Sequence, residues 1–170
     1  KAESRGLGDV YKRQDLNYPF LKHDFLKTLE ITNCVGTNTG WIPIHITIER
    51  DKELIAAMPL YLKSHSQGEF VFDHSWANAF YQHGLDYYPK LVSSIPHTPA
   101  SGPRFLLKDG EEKSVLFEKI KEGVKMISSK NNISSWHILF PEKDEINFYE
   151  NSQLSICLLY TSDAADDEER

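Results

Sequence analysis

An alternating pattern in residues 41–49 constrains the fold of this chain more than any other feature. Four isoleucines, at positions 42, 44, 46 and 48, fall on one side of an extended chain, with polar residues and a proline on the other. A polar stretch at residues 50–53 follows, and residues 54–62 form a nearly continuous apolar run that suits an interior strand. The two segments predict an antiparallel hairpin whose isoleucine face packs against a layer of helices.

Helices and further strands follow this hairpin or precede it. Helical spacing predicts helices at residues 22–32, within 75–88 and around 144–149, and most clearly at the segment in which Leu116, Phe117, Ile120, Val124 and Ile127 share a face. Strands are predicted at residues 91–95, 105–107 and 136–140, and a proline-rich loop at 96–104. The fold class predicted is α/β, with a mixed, mainly antiparallel sheet flanked by helices.

Charge and cysteine content exclude several classes of function. The net charge is -6, and no cluster of Lys and Arg provides the basic face that DNA binding requires, so we expect no DNA partner. Two cysteines are too few for a disulfide framework, which fits a reducing compartment. The sequence has neither a long apolar run nor the apolar core of a signal peptide, so a cytoplasmic location without a membrane span is expected.

The two ends of the chain differ from the middle. Residues 1–14 and 157–170 show no periodicity, and both resemble translated sequencing-adapter reads. We predict that they are non-native extensions that pack little against a domain of residues 15–156. The alternative is that the acidic C-terminal end is a solvated tail of the natural protein.

Polar and aromatic residues that can carry chemistry concentrate just after the predicted hairpin. Acyl transfer to an amine needs a base for its proton and an acid for the leaving group. The candidate bases are His65, Glu69 and Asp73, the candidate acids are Tyr81 and Tyr88, and the candidate substrate contacts are Lys63, Trp76 and Lys90. The alternative for each is an ordinary packing or surface role, but the cluster is where a pocket is most expected.

The loop at residues 96–104 is a candidate anion site. Thr98 and Ser101 offer hydroxyl groups, Gly102 permits close backbone approach, and the guanidinium of Arg104 can bind a phosphate or carboxylate with two hydrogen bonds. The alternative is a rigid proline loop in which Arg104 pairs with a structural carboxylate. We expect this loop and residues 63–88 to enclose one pocket, because ligands bind where loops leave a sheet in open α/β folds.

Metal binding is not expected. Asp73, His74, His83 and His97 could supply ligands, but their spacing matches neither a paired-histidine helix nor a Cys/His knuckle.

Several segments closely resemble the FemAB-like predicted N-acyltransferases, a bacterial family associated with peptidoglycan biosynthesis. The most specific stretches are YLKSHSQGEFVFD, YYPKL and TPASGPR, and the resemblance covers about residues 16–148. It implies a GNAT-like fold, in which a strand leads into a loop and a helix whose N-terminus receives the cofactor pyrophosphate. It also implies two consecutive units of this kind, of which the present chain is the first.

The resemblance implies transfer of an acyl or aminoacyl group from an activated donor to an amine. The expected donor is acyl-CoA or aminoacyl-tRNA, used as a co-substrate with no tightly bound cofactor, and the expected acceptor is a small molecule or a cell-wall precursor. A single unit is expected to be inactive alone. The alternative is a non-catalytic GNAT-like half-domain that binds a ligand and shapes a cleft with a second half.

Overall fold

The computed structural model describes residues 18–71 and 73–157. Within these residues the chain forms four α-helices, one short 3-10 helix (Pro19–Leu21) and seven strands, which confirms the predicted α/β class. The predicted extensions at 1–14 and 157–170, apart from Cys157, lie outside the described residues, so their non-native origin stays a prediction. No helix in the described part of the chain is long and apolar enough to cross a membrane.

The helices and strands follow one another in a mixed order. The helices are α1 (His23–Ile31), α2 (His74–Gln82), α3 (Lys113–Asn131) and α4 (Lys143–Asn151). The strands are β1 (Trp41–Pro43), β2 (Ile46–Arg50), β3 (Glu53–Met58), β4 (Tyr61–Lys63), β5 (Lys90–Ser93), β6 (Leu106–Leu107) and β7 (Trp136–Ile138).

The strands form two sheets, one with the order β1-β4-β5-β7 and the other β2-β3-β6. The β5/β7 pair is parallel, and all other pairs are antiparallel. Because β5 and β7 are parallel, the chain between them crosses over through the loop, β6 and α3. This crossover brings the segment after β7 next to the loop that follows β5.

The predicted hairpin is present, but the single strand predicted at residues 41–49 is wrong. It is two strands, β1 and β2, which pair with β4 and β3 in different sheets. The break lies opposite Pro59, which has no N–H to donate to a ladder. Beside it the Leu60 N–H donates to the imidazole Nδ1 of His45 at 3.1 Å, so a side chain replaces a backbone partner.

The isoleucine face packs against α3 as predicted for three of its four members. Ile44, Ile46 and Ile48 contact the main core, which includes Phe117 and Ile120 of α3. Ile42 belongs to the other sheet and is not part of this core. The register of the hairpin therefore follows the hydrophobic period even though its strand is divided.

Helix α2 ends earlier than the predicted segment 75–88. Its last residue is Gln82, and the Gly84 N–H donates to the Tyr81 carbonyl at 3.0 Å with a positive φ of 70° at Gly84. Glycine tolerates this left-handed conformation and commonly ends a helix. Residues 83–89 are therefore irregular, and they lead Tyr87 back toward the start of α2.

Candidate functional site

Four charged side chains are buried together where β4, β5 and the start of α2 meet. We call Lys63, Glu69, Asp73 and Lys90 the acid–lysine cluster; each is at most 2 % exposed. Lys63 and Lys90 lie opposite each other in the antiparallel pair of β4 and β5, so their side chains are cross-strand neighbours. Two cations and two carboxylates make the cluster neutral overall when all four are ionised.

Lys90 links the two carboxylates of the acid–lysine cluster. Its ammonium lies 2.8 Å from Glu69 Oε2 and also donates to Asp73 Oδ2. The Tyr87 hydroxyl donates to the same Asp73 oxygen at 2.8 Å. The Lys63 ammonium donates to the Gln67 carbonyl at 3.0 Å and stands over the Trp41 ring.

Three carboxylate oxygens of the cluster accept no hydrogen bond among the described residues: Glu69 Oε1, Glu69 Oε2 and Asp73 Oδ1, all of them buried. Glu69 Oε2 forms the ion pair with Lys90, which leaves Glu69 Oε1 and Asp73 Oδ1 without any partner in this part of the chain. Asp73 stands at the N-cap position of α2, where an aspartate usually accepts from the helix, but its side chain makes no capping bond. Since buried polar atoms are nearly always hydrogen-bonded, the free oxygen of Asp73 indicates a place for a ligand or a water molecule.

Burial and neighbouring charges separate the pKa values in the cluster. Burial lowers the pKa of Lys63 to about 8, although Glu69 opposes this effect. Burial raises the pKa of Glu69, with Lys90 acting in the opposite direction. Burial also acts to raise the pKa of Asp73, but hydrogen bonds from Lys90 and Tyr87 outweigh it and lower that pKa. Asp73 is therefore ionised at neutral pH.

A pocket of about 550 Å³ opens beside Asp73. Its walls come from α2, from β7 and its flanking residues, and from residues 153–157 after α4. Most of the walls are aromatic or aliphatic, including Trp76, Phe80 and Trp136. Among the described residues that line the pocket, Asp73 is the only one with a charged side chain at neutral pH.

His137, in the middle of β7, also lines this pocket. Burial, and next the charge of Lys90, lower its pKa to about 4, so the imidazole is neutral at physiological pH. Its Nε2 lies 2.9 Å from the Ser135 hydroxyl. The Tyr87 hydroxyl keeps its proton because burial and the hydrogen bond to Asp73 raise its pKa. The pocket thus combines an anionic oxygen, a neutral imidazole and aromatic walls, which suits an organic cation.

The sequence of this chain matches the model of the FemAB-like family, described as peptidoglycan biosynthesis/recognition, over residues 9–160. The chain belongs to the FemAB-like family. At the level of the family, membership implies peptidoglycan-related aminoacyl transfer. No curated protein and no solved structure matches the chain.

The FemAB-like structure brings only some of the predicted catalytic and substrate-contacting residues to the pocket. Asp73 and Trp76 line it, whereas Lys63, Glu69 and Lys90 lie behind Asp73 in the acid–lysine cluster. Tyr81 is an exposed residue of α2 and does not line the pocket.

His65 and Tyr88 support the turn between β4 and α2 instead. His65 Nδ1 accepts from the Gln67 N–H at 3.3 Å, and its ring covers Gly40, where a Cβ would lie 2.1 Å from Nε2. Burial and Lys63 lower the pKa of His65. The Tyr88 hydroxyl bonds to Ser66, and burial raises its pKa. Both residues hold the segment that carries Glu69.

Arg104 does not present its guanidinium to a ligand. The side chain is completely buried, and Nε donates to the Leu139 carbonyl at 2.8 Å. Nη1 donates to the carbonyls of Gly102 and Pro103, and Nη2 donates to the carbonyl of Ala100 at 2.6 Å. The predicted anion-binding role of Arg104 has no support in this geometry, which favours the alternative of a rigid structural loop.

The rest of the predicted anion loop is also used internally. The Tyr18 ring packs on Gly102, where a Cβ would lie 2.3 Å from Tyr18 Cζ, and the Tyr18 hydroxyl donates to the Ala100 carbonyl. Thr98 donates its hydroxyl to the Pro96 carbonyl at 3.1 Å, and Ser101 is exposed. The close approach that Gly102 permits is therefore made by an aromatic ring of this chain.

The pocket has a different second wall from the predicted one. It contacts five described residues between positions 71 and 87, as expected, but its second wall is β7 and not the loop at 98–104. The loop turns toward the segment after β7, where the Gly102 N–H donates to the Phe140 carbonyl at 3.1 Å.

Sequence reasoning missed the roles of Tyr87, His137 and Trp136. A polar residue between apolar neighbours in a short strand, as in WHILF, was the available signal for His137. Among the described residues, no three His, Cys, Asp or Glu side chains converge as metal ligands.

Proposed function

We propose that this FemAB-like chain takes part in transferring an acyl or aminoacyl group to a primary amine, and that the pocket beside Asp73 binds this acceptor. The observation that carries the proposal is the buried, ionised carboxylate whose Oδ1 has no partner among the described residues and which lines an aromatic pocket. An ammonium group can donate a charge-assisted hydrogen bond to this oxygen. The link of the family to peptidoglycan supports a cell-wall precursor as the acceptor.

The chemistry of the transfer requires the bound ammonium to lose a proton. Asp73 and His137 both line the pocket and both are unprotonated at neutral pH, so either can accept it. The amine nitrogen then forms a bond to the carbonyl carbon of the donor. The bond from that carbon to the thiol sulfur or ribose oxygen breaks, and the leaving group takes the second proton that the amine nitrogen loses as the amide forms.

The donor in this proposal is acyl-CoA or aminoacyl-tRNA, and its phosphates bind outside the pocket. None of the described residues that line the pocket is Lys or Arg, and Arg104 is committed to backbone carbonyls. Phosphate binding needs such cations or free backbone N–H groups. We place the reaction in the cytoplasm, where both kinds of donor are made.

A second candidate function is binding of the acceptor without catalysis. The absence of a cationic group from the described lining of the pocket favours it, because the donor then has to be held by another unit. In this version the present unit positions the amine, and a second GNAT-like unit supplies the donor site.

The two candidates are distinguished by a transfer assay on the 170-residue chain. The chain is incubated with pentylamine and either acetyl-CoA or an aminoacyl-tRNA, and the amide is measured by mass spectrometry. Catalysis predicts amide formation that falls by about 10- to 100-fold in Asp73→Asn, since a hydrogen bond to a charged group is lost. Asp24→Asn is the control, because Asp24 is fully exposed on α1.

The possible results separate the candidates. Pentylamine binding without amide formation, which is also expected where a single unit is inactive alone, shows that this chain binds the acceptor and does not itself catalyse the transfer. Equal amide formation by the chain and by Asp73→Asn contradicts the proposed role of Asp73.

A further inference from the structure

We propose that Ser135 and His137 form a nucleophile–base pair, which takes an acyl group from an activated ester or thioester onto the Ser135 hydroxyl and releases it to water. This inference goes beyond the proposed function, in which the amine attacks the donor directly and no side chain of the protein is acylated. Hydrolysis needs no amine, so it is measured independently of the transfer.

The two side chains are in hydrogen-bond contact in the wall of the pocket. Ser135 directly precedes β7 and His137 is the central residue of β7, so both side chains fall on the same face of the strand. The Ser135 hydroxyl lies 2.9 Å from His137 Nε2, and both residues line the pocket. A hydroxyl within hydrogen-bond distance of an imidazole is the arrangement in which a base activates a serine.

The surroundings of Ser135 direct its proton toward the imidazole. Ser134 donates its own proton to the Tyr87 carbonyl, and its Oγ lies 3.3 Å from Ser135 Oγ. His137 Nε2 is closer to Ser135 and is more basic than a hydroxyl oxygen, so Ser135 donates to the imidazole. Because burial lowers the pKa of His137, the imidazole is neutral at physiological pH and can accept this proton.

The open edge of β7 offers a donor to the oxyanion that forms on the acyl oxygen. The Ser135 carbonyl accepts from the Leu91 N–H, and the Leu139 N–H also donates to β5. The Trp136 N–H therefore points away from β5, to a side where no strand of the described part of the chain pairs with β7. It belongs to the residue after the nucleophile, from which many serine hydrolases donate to the oxyanion.

Two further neighbours act on the imidazole. The Tyr87 ring packs edge-on against it, with the ring centroids 6.1 Å apart, and limits its rotation. Burial and next Lys90 oppose the imidazolium that forms when His137 takes the Ser135 proton, whereas Asp73 favours it. Asp73 thus has the electrostatic role of the acid in a catalytic triad. Since the opposing effects are the larger ones, we expect slow turnover.

The reaction has two steps. In the first, the Ser135 oxygen bonds to the acyl carbon and its proton passes to His137 Nε2, while the bond from that carbon to the thiol sulfur or phenol oxygen breaks and the leaving group takes the proton from His137. In the second, a water molecule gives a proton to His137 and its oxygen bonds to the acyl carbon. The bond to Ser135 breaks, and Ser135 takes the proton back as the carboxylic acid leaves.

The walls of the pocket define the class of acyl group. Phe80, Trp136 and Leu154 line the same pocket as the pair, and they gain free energy when they cover methylene groups. The expected substrates are therefore activated esters and thioesters of short aliphatic acids.

Two probes test the pair in the 170-residue chain without any amine. Turnover is measured with para-nitrophenyl butyrate at neutral pH by the absorbance of the released nitrophenol. The nucleophile is located with an alkyl fluorophosphonate, whose phosphorus bonds to an activated serine oxygen as fluoride leaves, so that the serine stays marked. Tandem mass spectrometry of the peptides then shows which residue carries the phosphonate. We expect release of nitrophenol above the rate in buffer and a phosphonate on Ser135.

Variants separate the roles of the two residues. Ser135→Ala should lose the phosphonate label, and Ser135→Ala and His137→Gln should each lower turnover by at least about 100-fold, as for loss of a nucleophile or a general base. Ser129→Ala is the matched control with unchanged turnover, because Ser129 is an exposed residue of α3 that does not line the pocket. Urea denaturation shows whether each variant is folded.

Three results would overturn the inference. They are a phosphonate on Ser155, which lines the same pocket, no phosphonate on any serine, and equal turnover in the unmodified chain and in folded Ser135→Ala. The position of the phosphonate is read in the unmodified chain, so it decides the question even where a variant does not fold.

Discussion

Two groups of buried charge in this molecule have opposite hydrogen-bonding states. Around Arg104, the guanidinium donates to four backbone carbonyls, and the carboxylate of Glu145 accepts from the Arg104 N–H, the Tyr149 hydroxyl and Lys113. In the acid–lysine cluster, Glu69 Oε1 and Asp73 Oδ1 have no partner among the described residues. Arg104 and Glu145 are buried, as are the four side chains of the acid–lysine cluster.

This difference teaches that burial of a charge does not by itself indicate function. The satisfied group around Arg104 joins the loop, α3 and α4, so its contribution is to the fold. The incompletely satisfied group lines a pocket through Asp73, so it can gain a ligand. Variants of the two groups should therefore affect different quantities.

The largest effect is expected for Arg104→Ala. The variant leaves four buried carbonyls without a donor and removes a large side chain from a close-packed site, so the free energy of unfolding should fall by about 4 kcal/mol. Urea denaturation at neutral pH measures it. Arg50→Ala is the control, since Arg50 forms an exposed pair with Glu111 and should cost less than about 1 kcal/mol. Similar decreases in the free energy of unfolding in the two variants would contradict the structural role of Arg104.

A slightly smaller effect is expected for Lys90→Met. Two buried carboxylates then lose their shared cation, which should cost about 3 kcal/mol at pH 7. Without Lys90 the pKa of each carboxyl in the folded state rises above its unfolded value, so stability present at low pH is lost as the pH rises. The comparison is urea denaturation at about pH 5 and pH 8.

Lys108→Met is the matched control for Lys90→Met. Lys108 pairs with Glu53 at 2.6 Å near the surface. Lys108→Met should therefore lower the free energy of unfolding by less than about 1 kcal/mol, with little dependence on pH. A pH-independent loss in Lys90→Met would show that the carboxylates do not depend on Lys90 for their charge.

The stability of the chain also depends on pH through His137, which lines the pocket. The pKa of its imidazole is about 4 in the folded state and near 6.5 when exposed, so the folded state binds fewer protons between these values. Stability is therefore lost as the pH falls from about 6.5 to 4, by on the order of 2–3 kcal/mol. In His137→Gln this component disappears, which unfolding measurements across that range should show. If the free energies of unfolding of the unmodified chain and of His137→Gln differ by the same amount at every pH in this range, the lowered pKa of His137 is contradicted.

The smallest effect is expected for Trp76→Ala. Trp76 and Tyr81 are similarly exposed aromatic residues of α2, but only Trp76 lines the pocket. We expect Trp76→Ala to weaken pentylamine binding about threefold, as for one exposed cation–π contact, and Tyr81→Ala to leave it unchanged. Equal weakening of pentylamine binding in the two variants would show that the amine does not bind in the pocket.

Several parts of the fold follow from local patterns in the sequence. The alternating isoleucines predict the face that packs on α3, and the spacing of Leu116 to Ile127 predicts α3 itself. The division of the strand at residues 41–49 does not follow from the period, because the alternation continues across the break. It depends on Pro59, which lies between β3 and β4 and is a non-local partner of this segment.

The site was predictable to a lesser degree for the same reason. Asp73 and Trp76 are close in sequence and share the start of α2, so a local cluster of polar and aromatic residues indicated them. His137 reaches the same pocket only through the parallel pairing of β5 with β7. Arg104 has the chemistry of an anion-binding residue, but whether its donors are free depends on carbonyls from Ala100 and Leu139.

The central claim is that Asp73 Oδ1 receives the amine of the acceptor, and a crystal structure of the 170-residue chain with pentylamine tests it most directly. The account predicts the amine nitrogen within about 3 Å of Asp73 Oδ1 and the alkyl arm against Phe80 and Trp136. A pentylamine molecule bound at the loop of residues 98–104, with the pocket beside Asp73 holding only water, would contradict it.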